Sequence, residues 1–209
     1  MICYRRPRVR LLAVAIFTSC AVACASRSSS PCADPADVSC DLDPSWQRKV
    51  AEPAAIAVVS AAGGNDALPR AVTFGSAAGG KTALYLRFPD LELPAKSIER
   101  AYLRLEPETT GLADSEPVDV EVWRVRRPWQ SGAFDWSSQP PLGPPHAQGL
   151  AFGRKTLRVD VTELVRETQT NPARSHGLAV LASAGDGNGV SFTTGVGGPW
   201  LPRLEVYSR

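Results

Sequence analysis

The strongest constraint on this chain is an alternation of apolar and polar side chains at every second residue, repeated in separate stretches. Leu84, Leu86 and Phe88 alternate with Tyr85 and Arg87, and Ala101, Leu103 and Leu105 with Tyr102 and Arg104. The same pattern sets Val118, Val120 and Val122 against Asp119 and Glu121. It recurs in Leu157, Val159 and Val161 against Arg158 and Asp160, and in Leu204 and Val206 against Arg203 and Glu205. Successive side chains of a strand point to opposite faces, so a period of two builds strands with one face in a core and the other outside it. Leu178 to Leu181 is apolar without alternation and predicts a strand covered on both faces. Gly and Pro clusters such as Gly79-Gly80, Pro140-Pro141, Pro144-Pro145 and Gly197-Gly198-Pro199 punctuate these runs, which favours a sandwich or barrel over alternating strands and helices. Only Thr162 to Thr170 reads as helical, with Leu164 and Val165 apolar and Asp160 and Glu163 spaced as an approximate capping box. The expectation is an all-β protein, an antiparallel β-sandwich with one short helix near 162–170.

The first 24 residues read differently. Arg5, Arg6, Arg8 and Arg10 precede an apolar run from Leu11 to Ala23, which is too short to span a bilayer as a helix, a task needing about 20 residues. A basic segment, an apolar segment and small residues form the pattern of a cleaved secretory signal. Ala21-Val22-Ala23-Cys24 resembles the site at which bacterial lipoproteins are cut and acylated at cysteine, although ordinary signal cleavage at the same small residues would release a soluble product. Residues 1–24 are therefore expected to be a signal peptide of lipoprotein type, 25–49 a flexible tether rich in Ser, Pro and Asp, and 50–209 the folded domain. Lipidation of Cys24 would anchor an exported protein in a membrane, the outer one where the source has two, and multiple acylation would make that anchor stable. Cys32 and Cys40 lie in the tether, where an oxidising compartment makes a disulfide between them plausible. From Trp46 onward there is no cysteine, so the domain must rest on its apolar core. The formal charge of +2 is supplied by the leader arginines, and the remainder does not have the basic character of a nucleic-acid-binding chain.

A run of motifs in order carries a family resemblance. It comprises Ala83 to Phe88, Leu93-Pro94, Ile98 to Leu105, Val120 to Val125, Trp129, Phe134-Asp135-Trp136, Val159 to Thr162, Gly177-Leu178 and Pro202 to Val206. From Lys81 to Tyr207, about three fifths of the chain, the sequence resembles the DNRLRE-domain family, a jelly-roll group related to carbohydrate-binding modules. It departs from that family in lacking the name-giving hexapeptide and in a less regular first strand around Ala54 to Val59. The resemblance implies a jelly-roll-like sandwich displayed outside the cell that recognises or organises polysaccharide, with Trp129 and Trp136 in its core.

Several motifs invite chemical readings. Gly75-Ser76-Ala77-Ala78-Gly79-Gly80-Lys81-Thr82 matches the phosphate-loop pattern. Such a loop needs a following helix whose N–H groups converge on phosphate, whereas Ala83 to Pro89 reads as a strand, so a hairpin loop is expected and no nucleotide. His146, in a Pro-Pro loop, and His176, before the Gly177-Leu178 strand, are the only imidazoles, and neither accompanies a serine nucleophile motif. No catalytic residue is assigned, and glycan cleavage by an unseen carboxylate pair ranks last. Asp186 and Asn188, in Gly185-Asp186-Gly187-Asn188-Gly189, are weak calcium candidates without calcium-loop spacing, and a hairpin turn accounts for the same letters. No cofactor or metal is otherwise expected.

Aromatic and basic residues give the better functional clue, because sugar C–H faces stack on aromatic rings while hydroxyls and carboxylates meet charged groups. Tyr85, Arg87, Tyr102 and Arg104 fall on outward positions. Trp123 does so as well unless a bulge returns it inward, and Trp200 is a separate loop candidate. If they share one exposed groove, they would bind an extracellular polysaccharide, an acidic one given the arginines. Cross-strand stabilisation explains the same residues without a ligand. The alternative role is a structural or protein-interaction component of the bacterial envelope.

Overall fold

The computed structural model describes residues 43, 45–63, 67–75, 81–108, 116–182, 189–196 and 200–209. The leader with Cys24, the tether cysteines Cys32 and Cys40, most of the glycine-rich run before Lys81, and the calcium candidates Asp186 and Asn188 lie outside these residues. The strands in chain order are β1 (Gln47–Ala51), β2 (Ala55–Ser60), β3 (Ala71–Phe74), β4 (Thr82–Arg87), β5 (Ile98–Leu105), β6 (Val118–Val125), β7 (Leu142–Ala151) and β8 (Leu157–Asp160). After the helix α1 (Thr162–Thr170) follow β9 (Leu178–Ala182), β10 (Val190–Thr193) and β11 (Arg203–Ser208). A four-stranded sheet runs β1-β11-β5-β8, a five-stranded sheet β2-β4-β9-β6-β7, and β3 pairs with β10. Every pairing is antiparallel.

The alternating apolar residues meet between the two larger sheets. Leu84, Leu86, Val120, Val122 and Val180 of the five-stranded sheet pack in one core with Leu103, Leu105, Val159, Leu204 and Val206 of the four-stranded sheet, all nearly solvent-free. Burying each such side chain contributes about 1.5–3 kcal/mol, which is what holds the two layers face to face. The protein is an all-β antiparallel sandwich. Helix α1 covers one end, with Leu164 and Val165 joining the core. Asp160 Oδ1 accepts hydrogen bonds from the backbone N–H (2.9 Å) and the hydroxyl (2.6 Å) of Thr162. Glu163 pairs instead with Arg166, so the reciprocal half of a capping box does not form.

Chain connectivity departs from the hairpins expected at the glycine-rich links. β6 and β7 are the sequence neighbours that pair. β3 belongs with β10 and β4 with β2 and β9, so the Gly75–Thr82 link joins strands of different sheets. Thr82 opens a strand, not a helix. The link containing Asp186 and Asn188 likewise joins β9 of the five-stranded sheet to β10 of the small one, which excludes a two-strand hairpin there. Gln47 to Lys49, at the end of the expected tether, are paired with β11 in β1.

A second apolar cluster lies on the outer side of the five-stranded sheet. Ala57, Ala83 and Ala179 are small enough to leave room above the strands, and Trp129 and Phe134 of segment 126–141 settle there around Tyr85 and Val125, with Trp136 against them. Tyr85 is thereby fully buried, which corrects its reading as a surface residue. β9, predicted to be covered twice, sits between this layer and the core.

β7 carries Pro144 and Pro145, which read as loop in the sequence. It is the edge of its sheet, where a missing N–H breaks no inner ladder. Trp123 pairs with His146 and Arg124 with Gly143, so the two prolines fall into the register shift between them. The bulge comes after Trp123, not before it. Trp123 therefore keeps its outward position, and Arg124 turns inward, donating to Glu167 Oε1 (2.8 Å) and the Pro144 carbonyl (2.7 Å).

Candidate functional site

The outer face of the four-stranded sheet gathers most of the charged residues singled out by the alternation. Register sets Arg203 of β11 beside Arg104 of β5, and Arg104 beside Arg158 of β8. Two residues along, Val50, Glu205, Tyr102 and Asp160 form the next row, and Arg48, Tyr207 and Arg100 a third. Since Leu204 and Val206 face the core, Arg203, Glu205 and Tyr207 must face away from it.

Glu205 occupies the centre of this face at 2% exposure. One of its oxygens accepts from Arg48 Nη2 at 2.6 Å and lies 3.5 Å from Arg104 Nη1, while the other lies 3.4 Å from Arg158 Nη2. A buried carboxylate is tolerable only when its charge is met, and here three guanidinium groups converge on it. Burial disfavours the charge on Arg48, yet its bond and attraction to Glu205 outweigh that and raise its pKa. Arg104 is further fixed by Glu106, whose oxygens accept from Arg104 Nε (2.7 Å) and the Thr156 hydroxyl (2.8 Å).

The aromatic residues lie beneath and beside the arginines. Arg158 Cζ stands 4.1 Å above the Tyr102 ring, a cation–π contact, and Tyr102 meets Tyr207 edge-on at 6.1 Å. Burial, with Asp160 nearby, raises the Tyr102 phenol above its ordinary range. Trp200 is 53% exposed at the end of the arginine row, with Arg203 Cζ 5.9 Å from its ring centre. Five guanidinium groups thus share this face with Glu205, Asp160 and Glu106. Arg100 and Arg203 have no ion-pair partner among the described residues. The arrangement can hold an extended anionic ligand, with Trp200 as an exposed stacking surface.

The six residues selected from sequence do not form one groove. Tyr102, Arg104 and Trp200 come together here. Arg87 and Trp123 lie on the opposite sheet, and Tyr85 is buried there with its hydroxyl donating to Gln139 Oε1 at 2.8 Å. Parity along a strand tells inward from outward, but it does not tell which of two sheets the strand joins. Arg48, Arg158, Arg203, Glu205 and Tyr207 were missed as site residues. All but the first and last stood in the alternating runs, and only strand order brings them beside Arg104.

Trp123 forms a separate half-exposed patch. Its indole N–H donates to Glu121 Oε2 at 2.8 Å, and its ring stacks on His146 at 4.2 Å with the planes 12° apart. His146 therefore sits in β7, not in a loop. His176 lends its carbonyl to the Trp129 indole N–H at 2.7 Å. Among the described residues no three metal-ligating side chains converge, and no helix is long and apolar enough to cross a membrane. No protein-family model matches this chain, and no curated protein does.

Proposed function

We propose that the protein is a non-catalytic module that binds an acidic extracellular polysaccharide on the outer face of the four-stranded sheet. The observation that carries this is the row Arg203, Arg104 and Arg158 with Trp200 at its end. A polymer with one carboxylate or sulfate per sugar would meet Arg203, which has no ion-pair partner among the described residues, and the half-exposed Arg104 beside it by charge-assisted hydrogen bonds, and one of its rings would stack on Trp200. The resemblance to the DNRLRE-domain family supports the same reading. In this account Cys24 carries the lipid that tethers the module to the cell envelope, and mass measurement of the mature N-terminus checks that part alone.

Electrophoresis through gels containing a polyuronate, a sulfated glycan or a neutral glucan tests the binding. Retardation by the acidic gels, weakened in Trp200→Ala and Arg203→Gln, is the expected result. No retardation by any matrix or wall polymer would overturn it. Recovery from membranes of a stoichiometric protein partner with no glycan would favour the envelope-interaction role instead.

A further inference from the structure

A cleft of about 470 Å³ opens on the other side of the sandwich, between the end of β4 and segment 126–141. That size lies within the roughly 300–1,000 Å³ typical of small-molecule sites. Arg87 and Arg127 both line it, and no carboxylate does. Neither guanidinium has an ion-pair partner among the described residues. Arg87 is held from one side only. Its Nη1 donates to the Trp129 carbonyl at 3.3 Å and its Cζ lies 5.6 Å from the Trp129 ring centre, which leaves further N–H donors uncommitted.

The wall behind these cations is already ordered. Trp129 is 5% exposed and tied to the His176 carbonyl. Gln139 is clamped between the Tyr85 hydroxyl and the Trp136 carbonyl, the latter at 2.8 Å. Asp135 closes the turn beyond, accepting hydrogen bonds on Oδ1 from both the backbone and hydroxyl of Ser137 and of Ser138. A preformed concave wall limits the entropy lost on binding to that of the two exposed arginine side chains, which suits the surface to a small anion.

We propose that this cleft is a second binding site, for a single acidic sugar residue bearing a carboxylate or sulfate ester. Because the arginine row lies on the opposite sheet, one molecule would hold two polymer segments and crosslink acidic polysaccharide. The crosslinking rests on the polysaccharide reading above, whereas the cleft can be examined separately.

Two measurements separate them. Tryptophan fluorescence of the full protein is titrated with glucuronate, glucose 6-sulfate, glucose and inorganic sulfate. A response to an acidic sugar, absent with glucose and weakened about tenfold or more in Arg127→Gln and in Arg87→Gln/Arg127→Gln, is the expected result, the factor for one lost charge-assisted hydrogen bond. Arg127 is exposed and its single replacement guards against misfolding. Inorganic sulfate binding as tightly as the acidic sugars, or an unchanged response in the double variant, would overturn the site. In the second measurement, the turbidity of a polyuronate solution passes through a maximum as protein is added, and the double variant keeps gel retardation but loses turbidity. Gel retardation without turbidity in the wild type would refute crosslinking and leave the arginine face standing. A fluorescence response without any gel retardation would refute the arginine face, and crosslinking with it, and leave the cleft standing.

Discussion

Glu205 meets Arg48, Arg104 and Arg158 from a position with 3% of its side chain exposed, while Arg48 keeps 52% of its own. The two ends of this ion pair are therefore not equivalent. Replacing Glu205 by Ala leaves three guanidinium groups facing one another and should cost about 3 kcal/mol. Arg48→Ala removes a partner already in water and should cost about 1 kcal/mol or less. Urea unfolding of both variants measures the difference, and equal losses would contradict the central role of Glu205. Tyr85 gives a second prediction at this scale. Burial raises its phenol well above the ordinary value of 10.0, so the folded protein keeps a proton that the unfolded chain releases at high pH. Its contribution is complete below about pH 10 and declines as pH rises further. Tyr85→Phe should lose about 1 kcal/mol at neutral pH with the Gln139 hydrogen bond, and this deficit should shrink above pH 10. A deficit constant with pH would show that Tyr85 is not the group responsible.

Single elements explain how far the sequence could be read. β4, β5, β6, β8, β11 and α1 were legible because their periods reflect which atoms leave water, and β9 because its unbroken apolar run reflects cover on both faces. β1 was not, since Gln47 to Val50 are all exposed at a sheet edge and bear no apolar alternation. β7 was hidden by Pro144 and Pro145, which an edge strand accommodates through its bulge. The site was half legible for a related reason. Outward parity placed Tyr102 and Arg104 on the face turned away from the core, although Tyr102 is buried there beneath Arg158, whereas the alanine floor that admits Trp129 and Phe134 over Tyr85 depends on three strands at once. Gly177, at the entry to β9, shows a local constraint with long-range cause. It has φ of 112°, and a Cβ there would lie 2.3 Å from the Leu86 carbonyl oxygen of the neighbouring strand. Gly177→Ala should cost about 3 kcal/mol, strain and clash together. Gly132→Ala, with φ of 76° and open space around it, should cost about 1 kcal/mol. Thermal unfolding of the pair checks the contrast, and similar melting temperatures would refute it.

Across the whole molecule, the core fixes two outer faces of different character. The four-stranded sheet carries Arg48 and Arg100 exposed and Arg104, Arg158 and Arg203 half-exposed, whereas the five-stranded sheet is roofed by segment 126–141 and leaves Arg87 and Arg127 at the rim of a cleft. Attraction between an exposed basic face and a polyanion weakens as added salt shortens the screening length to about 8 Å at physiological ionic strength. Gel retardation should accordingly fall as salt rises, and a salt-independent interaction would point away from the arginine row. The most direct test follows backbone and indole N–H resonances of the protein during titration with acidic oligosaccharides. Binding on the proposed face predicts shifts concentrated at Arg48, Arg100 to Arg104, Arg158 and Trp200 to Tyr207, including the Trp200 indole. Saturating ligand that leaves these resonances in place would contradict the account.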